Sequence, residues 1–254
     1  MTRFIEIDII KGISVTTMVT FHYFYVSNFM GLSNYDISSG ILYYLAKFSH
    51  LTFLFMVGVN LSIGYERKKE KKISDYDYNV NKLKKAVKLM IAGLLITDIT
   101  RRLHGNINVK FGIFHFISVA ILISLAINKH WSFILITLAC LYIINKYKQN
   151  LYQYCFSFPL TCFITGIQNI KYGSLDHFSI LEYLPIVCYG LIFGKFAYKN
   201  NKRIINFKIL DKKPNQLISL FQYLGKFSFN FYFLHFILFY FHFYGKGGYP
   251  KTTF

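Results

Sequence analysis

Long apolar runs separated by short polar connections set the pattern of this chain. About 20 helical residues, at 1.5 Å rise each, cover a hydrocarbon core of roughly 30 Å. On that measure the pattern predicts helices over residues 6–23, 40–64, 86–100, 109–127, 131–145, 179–198 and 217–244. Residues 155–167 are apolar but too short to span comfortably, and Pro159 interrupts them, so they read as an interfacial or re-entrant piece. Pro185 predicts a kink in the sixth helix. No repeat of fixed period and no Gly/Ser/Pro linker divides the chain. The expectation is an all-α fold: one polytopic integral-membrane bundle over residues 1–254 with about seven transmembrane helices.

Composition agrees with that pattern. Of 254 residues, 54% are hydrophobic and only 16% charged, with 28 Phe and 21 Tyr suited to lipid contact and interfacial belts. The first run lacks a cleavage site after a short apolar core and is expected to stay in the membrane rather than be removed as a signal peptide. A formal charge of +18 raises the possibility of nucleic acid, but the basic residues lie in the connections and form no separate domain, so no nucleic-acid partner is expected. Their distribution instead sets an orientation. With the N-terminus cytosolic, internal segments hold Arg3, eight basic residues in 65–85, Lys129 and six in 199–213. External segments hold none in 26–36, then Arg101, Arg102 and Lys110, three basic residues from Lys146 to Lys171, and Lys246 and Lys251. Residues 65–85 read as a solvated basic loop.

The candidate chemistry begins in the first run, where an acid, a base and an imidazole sit inside a spanning helix. Asp8, Lys11, Val15 and His22 fall on one stripe, because steps of 3, 7 and 14 residues return near the same azimuth. That stripe should face a protein interior or a wet cavity. His22 lies about 21 Å along the axis from Asp8, so two separate places are marked. An interfacial Asp8–Lys11 ion pair and a headgroup-level His22 are the structural alternatives. With the N-terminus inside, His22, Asp98, His115, His235 and His242 all reach the outer side, which favours an outward-opening pocket over scattered interfacial histidines. The cysteines at 140, 155, 162 and 188 show no CxxC pair and no metal-ligand spacing. They are expected to be unpaired apolar residues, with Cys155 and Cys162 as the pair an oxidising lumen could join.

Several stretches together carry a resemblance. Glu6-Ile-Asp8-Ile-Ile-Lys11-Gly12 with Met18-Val-Thr-Phe21-His22 opens the series, followed by Phe53-Leu-Phe-Met-Val-Gly58-Val-Asn-Leu-Ser62 and Phe111-Gly-Ile-Phe-His115-Phe-Ile117. Ser174-Leu-Asp176 with Tyr183-Leu-Pro185, Gly190 with Phe193-Gly-Lys195, and Leu224-Gly-Lys-Phe-Ser228 with Tyr232-Phe-Leu-His235 complete it. In this order they resemble the bacterial and archaeal membrane proteins related to heparan-α-glucosaminide N-acetyltransferase, and the opening and closing motifs are similar to the wider acyltransferase-3 group. The resemblance implies an integral-membrane acyltransferase moving an acyl group, acetyl above all, from acyl-CoA to a carbohydrate hydroxyl or amine on the far side, with no metal.

In acyltransferase-3 enzymes a histidine ending the first helix is essential, and His22 matches it. The glucosaminide acetyltransferases place theirs in the first external loop, which here, over 26–36, has none; Lys11 also stands where that family usually has Arg. His22 is thus the candidate base, His115 or His235 would orient it or stabilise charge, and Lys11 would attract CoA phosphates. Asp8, Asp98 and His242 are candidate substrate-binding residues. Gly112 and Gly225 are expected to serve close helix packing. A non-enzymatic carrier or glycan/lipid-translocating protein is the alternative that buried ionisable groups and kinked helices also allow. The sequence leaves the oligomeric state open.

Overall fold

A computed structural model describes residues 4–104, 108–167, 174–204 and 215–248. Arg3, Lys171, Lys251 and Lys208, Lys212 and Lys213 of the second basic segment lie outside the described residues. The α-helices are α1 (Ile5–Phe29), α2 (Gly40–Glu70), α3 (Asp75–His104), α4 (Ile113–Ile127), α5 (Trp131–Lys146), α6 (Lys148–Leu151), α7 (Pro159–Thr165), α8 (Ile180–Ala197), α9 (Gln216–Lys226) and α10 (Ser228–Tyr244). No strand occurs among the described residues; isolated bridges join Asn108 to Ser174 and Phe111 to His177. The all-α expectation holds. Among the described helices α2 and α8 combine the length and apolar composition of a membrane span, while α4 and α5 are apolar but shorter. Many large apolar side chains face outward, including Leu94 and Leu95 on α3, Leu135 and Ile136 on α5 and Leu238 and Phe241 on α10, a surface that suits lipid and that water would not tolerate at this extent.

The chain divides into two compact units, one of residues 1–56 and 206–254 and one of residues 57–205, the boundary falling inside α2. In the first unit α1 packs on α9 and α10. Glycine makes the α1–α9 approach possible: a Cβ on Gly225 would stand 2.6 Å from the Asp8 carbonyl carbon and 2.9 Å from Gly12 N, and one on Gly12 would meet the backbone of Phe221. Gly225 thus serves the close packing expected of it. Ser14 Oγ donates to the Ser49 carbonyl at 2.8 Å, tying α1 to α2. The turn after α1 is closed by Asn28, whose amide donates to the Tyr35 carbonyl at 2.6 Å and accepts from Tyr35 N at 2.8 Å.

In the second unit α3 packs on α4, and α5 on α8. Ser118 Oγ donates to the Ala86 carbonyl at 2.8 Å, and Asn128 at the end of α4 donates to the Leu61 carbonyl of α2 at 3.2 Å. Gly112 precedes α4 rather than lying in a helix interface; a Cβ there would stand 3.0 Å from Asp176 Oδ2.

Three sequence expectations are corrected. Residues 65–85 are not a loop: α2 continues to Glu70 and α3 begins at Asp75, because Lys, Arg and Glu are good helix formers and Ser74 caps the new helix, accepting from Asp77 N at 3.0 Å while its hydroxyl donates to the Asp77 carboxylate at 2.7 Å. The last helix is two, broken at Phe227, where ψ turns to 23°. Cys155 and Cys162 are joined in a disulfide, Cα to Cα 5.7 Å. The bridge closes a short helical hairpin in which Pro159 takes the first position of α7, where its missing N–H is harmless, and Gly166 ends it at φ 87°.

Candidate active site

The first unit brings together two of the sequence-selected histidines, 213 residues apart. His22 sits in the last two turns of α1 and His235 two turns into α10. Their rings stack at 4.9 Å, and His235 Nε2 lies 2.8 Å from His22 Nδ1. On its other side His235 Nδ1 stands 3.0 Å from the Phe231 carbonyl, one helical turn back on α10.

That carbonyl fixes the protons. A carbonyl oxygen can only accept, so the hydrogen of a neutral His235 is on Nδ1, and its Nε2 carries the lone pair. The bond between the two rings is then donated by His22 Nδ1–H. His22 Nε2 is left as a lone pair with no partner among the described residues, which is the form a general base requires. Aromatic rings enclose the pair: Phe236 lies 4.5 Å from both imidazoles, Tyr232 and Phe239 meet His235 edge-on at 5.7 and 5.9 Å, and Tyr25 meets His22 at 6.4 Å. His235 is buried and His22 half-buried.

The other candidates have different surroundings. His242 is exposed on α10 with its ring 6.5 Å from Tyr23. Asp8 is buried and Lys11 half-buried at the start of α1, on the stripe the spacing predicts. Asp98 belongs to the second unit, where it makes an exposed ion pair with Arg102 at 2.9 Å; such a pair contributes about 0.3–0.5 kcal/mol. His115, in the same unit, is buried beneath Gly93 of α3 and stacked on Phe111 at 5.8 Å, with its Nδ1 without a hydrogen-bond partner among the described residues. No group of three or more His, Cys, Asp or Glu able to hold a metal ion occurs among the described residues.

The sequence reasoning missed the Phe231 carbonyl, although an i−4 carbonyl is within reach of any helical histidine and could have been named from the spacing alone. It also left Asp176 and His177 out of the site. Asp176 Oδ2 accepts from Ile113 N at 3.4 Å at the start of α4, and His177 Nε2 donates to the Phe163 carbonyl at 2.9 Å under that residue's ring, 4.1 Å away. Burial raises the Asp176 carboxyl to about 6 against the lowering effect of the Ile113 N–H, and burial lowers His177 although the Phe163 carbonyl and Glu182 oppose it. These residues clasp the segment before α8 to the segment before α4.

Residues 3–237 match the family model described as heparan-alpha-glucosaminide N-acetyltransferase, catalytic. The chain belongs to that family. The match takes in α1 and the first part of α10, from Ser228 to Ile237, so both members of the histidine pair lie within the family's catalytic region. No curated protein and no solved structure matches the chain. Membership in the glucosaminide acetyltransferase family makes this an acetyltransferase-type, membrane-embedded protein, in keeping with the apolar α2 and α8.

Proposed function

We propose that this chain is an integral-membrane acetyltransferase that takes acetyl from cytosolic acetyl-CoA and delivers it to a sugar hydroxyl or amine on the non-cytosolic side, with His22 as general base and His235 as the residue that holds its tautomer. The observation that carries the proposal is the chain Phe231 carbonyl, His235, His22, which leaves His22 Nε2 as a lone pair.

His22 Nε2 takes the proton from the acceptor O–H or N–H as that atom attacks the thioester carbonyl. The tetrahedral intermediate expels CoA by breaking the C–S bond, and the thiolate receives the proton back from the imidazolium, leaving acetylated sugar and CoA thiol. As His22 becomes cationic, its Nδ1–H bond to His235 strengthens, which is differential stabilisation of the transition state. With both nitrogens engaged, His235 orients and does not act as an oxyanion donor. The carbohydrate acceptor is carried over from the family's name. The Cys155–Cys162 disulfide supports the sidedness, because such bonds persist in oxidising compartments and a cytosolic N-terminus puts residues 147–179 outside.

The test is transfer from labelled acetyl-CoA by the purified protein in a panel of amino-sugar and hydroxyl-sugar glycosides, with the product identified by mass spectrometry. Label on a sugar, matched by CoA thiol release, is expected; CoA release that no sugar stimulates would contradict the proposal.

A further inference from the structure

Five lysine ammonium groups gather where α2, α3, α4 and α8 of the second unit come together, and two aromatic rings lie among four of them. The Tyr65 ring has Lys69 Nζ at 4.7 Å, Lys195 Nζ at 5.1 Å and Lys68 Nζ at 5.2 Å from its centroid. Tyr78, whose ring meets that of Tyr65 edge-on at 6.0 Å, has Lys82 at 5.3 Å and Lys68 at 5.6 Å. Lys129 completes the group.

Two carboxylates are within the cluster. Glu66 pairs with Lys69 at 3.1 Å and also accepts from Asn200 N at 3.2 Å; Asp75 pairs with Lys68 and stands 3.9 Å from Lys129. Lys195, buried, donates to the Asn128 carbonyl at 2.5 Å, and Lys82 has no acidic partner among the described residues. Lys82 lies before the apolar run of α3, and burial, followed by the charge of Lys85, lowers it to about 8. Positive charges held this close, on rings that orient them but supply no counter-charge, are complementary to a multiply charged anion. Lysine offers a compact point charge with three donors, which suits phosphate oxygens.

We propose that Lys68, Lys82 and Lys195, arranged around Tyr65 and Tyr78, form a binding site for a phosphate-bearing ligand. Resting on the acetyltransferase reading, the soluble source is the diphosphate and 3′-phosphate of acyl-CoA; the membrane source is an anionic lipid headgroup. The K/R bias that puts the turn between α2 and α3 in the cytosol puts the site where both are available. A ligand with several phosphate charges meets several ammonium groups here, whereas Lys11 on α1 contributes one.

The experiment measures equilibrium binding of CoA, 3′-dephospho-CoA and pyrophosphate to the purified full chain in uncharged detergent, and separately the phosphatidylglycerol retained by the protein from mixed phosphatidylcholine nanodiscs. Lys82→Gln and Lys195→Gln are compared with Lys82→Arg, and thermal unfolding reports folding; Lys82 is half-buried, so its variants keep the test open where Lys195→Gln does not fold. A loss of CoA affinity of about 10-fold or more in Lys82→Gln, restored by Arg and smaller for dephospho-CoA, supports the site with the soluble source. Loss of retained phosphatidylglycerol with CoA binding unchanged supports the site with the lipid source. Unchanged affinity for every phosphate ligand in folded Lys82→Gln overturns it. Binding is read without turnover, so lysine-dependent CoA binding by a protein that transfers nothing would sink the transferase reading alone, and sugar acetylation by Lys82→Gln with both the acetyl-CoA KM and the retained phosphatidylglycerol unmoved would sink this site alone.

Discussion

Replacing His235 by Phe removes the acceptor of His22 Nδ1–H and the side-chain donor to the Phe231 carbonyl. The pocket is already aromatic, with Phe236, Tyr232 and Phe239 within 6 Å of the ring centre, so a phenyl ring of similar size fits the space. The 2.8 Å bond from His22 Nδ1–H is lost. In the ground state this leaves a half-buried donor without its acceptor, at a cost of about 1 kcal/mol of stability. In the transition state the donor is an imidazolium, whose hydrogen bonds are worth about 1.5–3 kcal/mol, so kcat should fall about 10- to 100-fold with little change in the acceptor KM. His235→Gln offers an amide oxygen near the same place and should recover much of the loss. The assay is steady-state acetyl transfer from labelled acetyl-CoA, with thermal unfolding to confirm that each variant is folded. A folded Phe variant within twofold of the parent, or a Gln variant no better than Phe, would refute the orienting role.

Two further outcomes follow from the second unit. Asp176 is raised from 3.8 to about 6, so the fold favours its neutral form; that contribution is complete below about 3.8 and is lost as pH rises through about 6. Asp176 is partly open to solvent, and a discount for screening leaves about 1–3 kcal/mol. Asp176→Asn, neutral at every pH and still an acceptor for Ile113 N, should therefore unfold at a higher temperature than the parent at pH 7 and at a similar one at pH 4; a variant no more stable than the parent at pH 7 would contradict this. For the disulfide, Cys155 and Cys162 in sealed vesicles of native orientation should react with a membrane-impermeant maleimide only after reduction from the outer side, and labelling without a reductant would show them unpaired.

The parts of the fold that follow from burial were legible in the sequence. Apolar runs located α4, α5 and α8 to within a few residues and the start of α1, because a helix facing lipid or core must be apolar along its length, but α1 runs on to Phe29, into the stretch expected to be a loop. Charge misled where it marks solvent rather than backbone state: 65–85 is helical almost throughout, and the Ser74-Asp75-Tyr76-Asp77 capping pattern was the signal that a new helix begins. The break at Phe227 carries no proline; its local signs are Gly225, which packs against α1, and Ser228, which opens α10. Of the site, His22 and His235 could each be named from motif and position, but their contact joins helices at opposite ends of the chain and only packing reveals it. The Cys155–Cys162 bond had a compatible spacing and nothing in the sequence that required it.

In the proposed reaction His22 Nε2 removes the acceptor proton. Purified His22→Ala, compared with the parent in transfer of labelled acetyl from acetyl-CoA to a sugar acceptor, tests it most directly. The prediction is a loss of about 10²–10⁴-fold in kcat with acetyl-CoA still bound and the protein still folded. Turnover near that of the parent by a folded His22→Ala would contradict the account and move the base elsewhere.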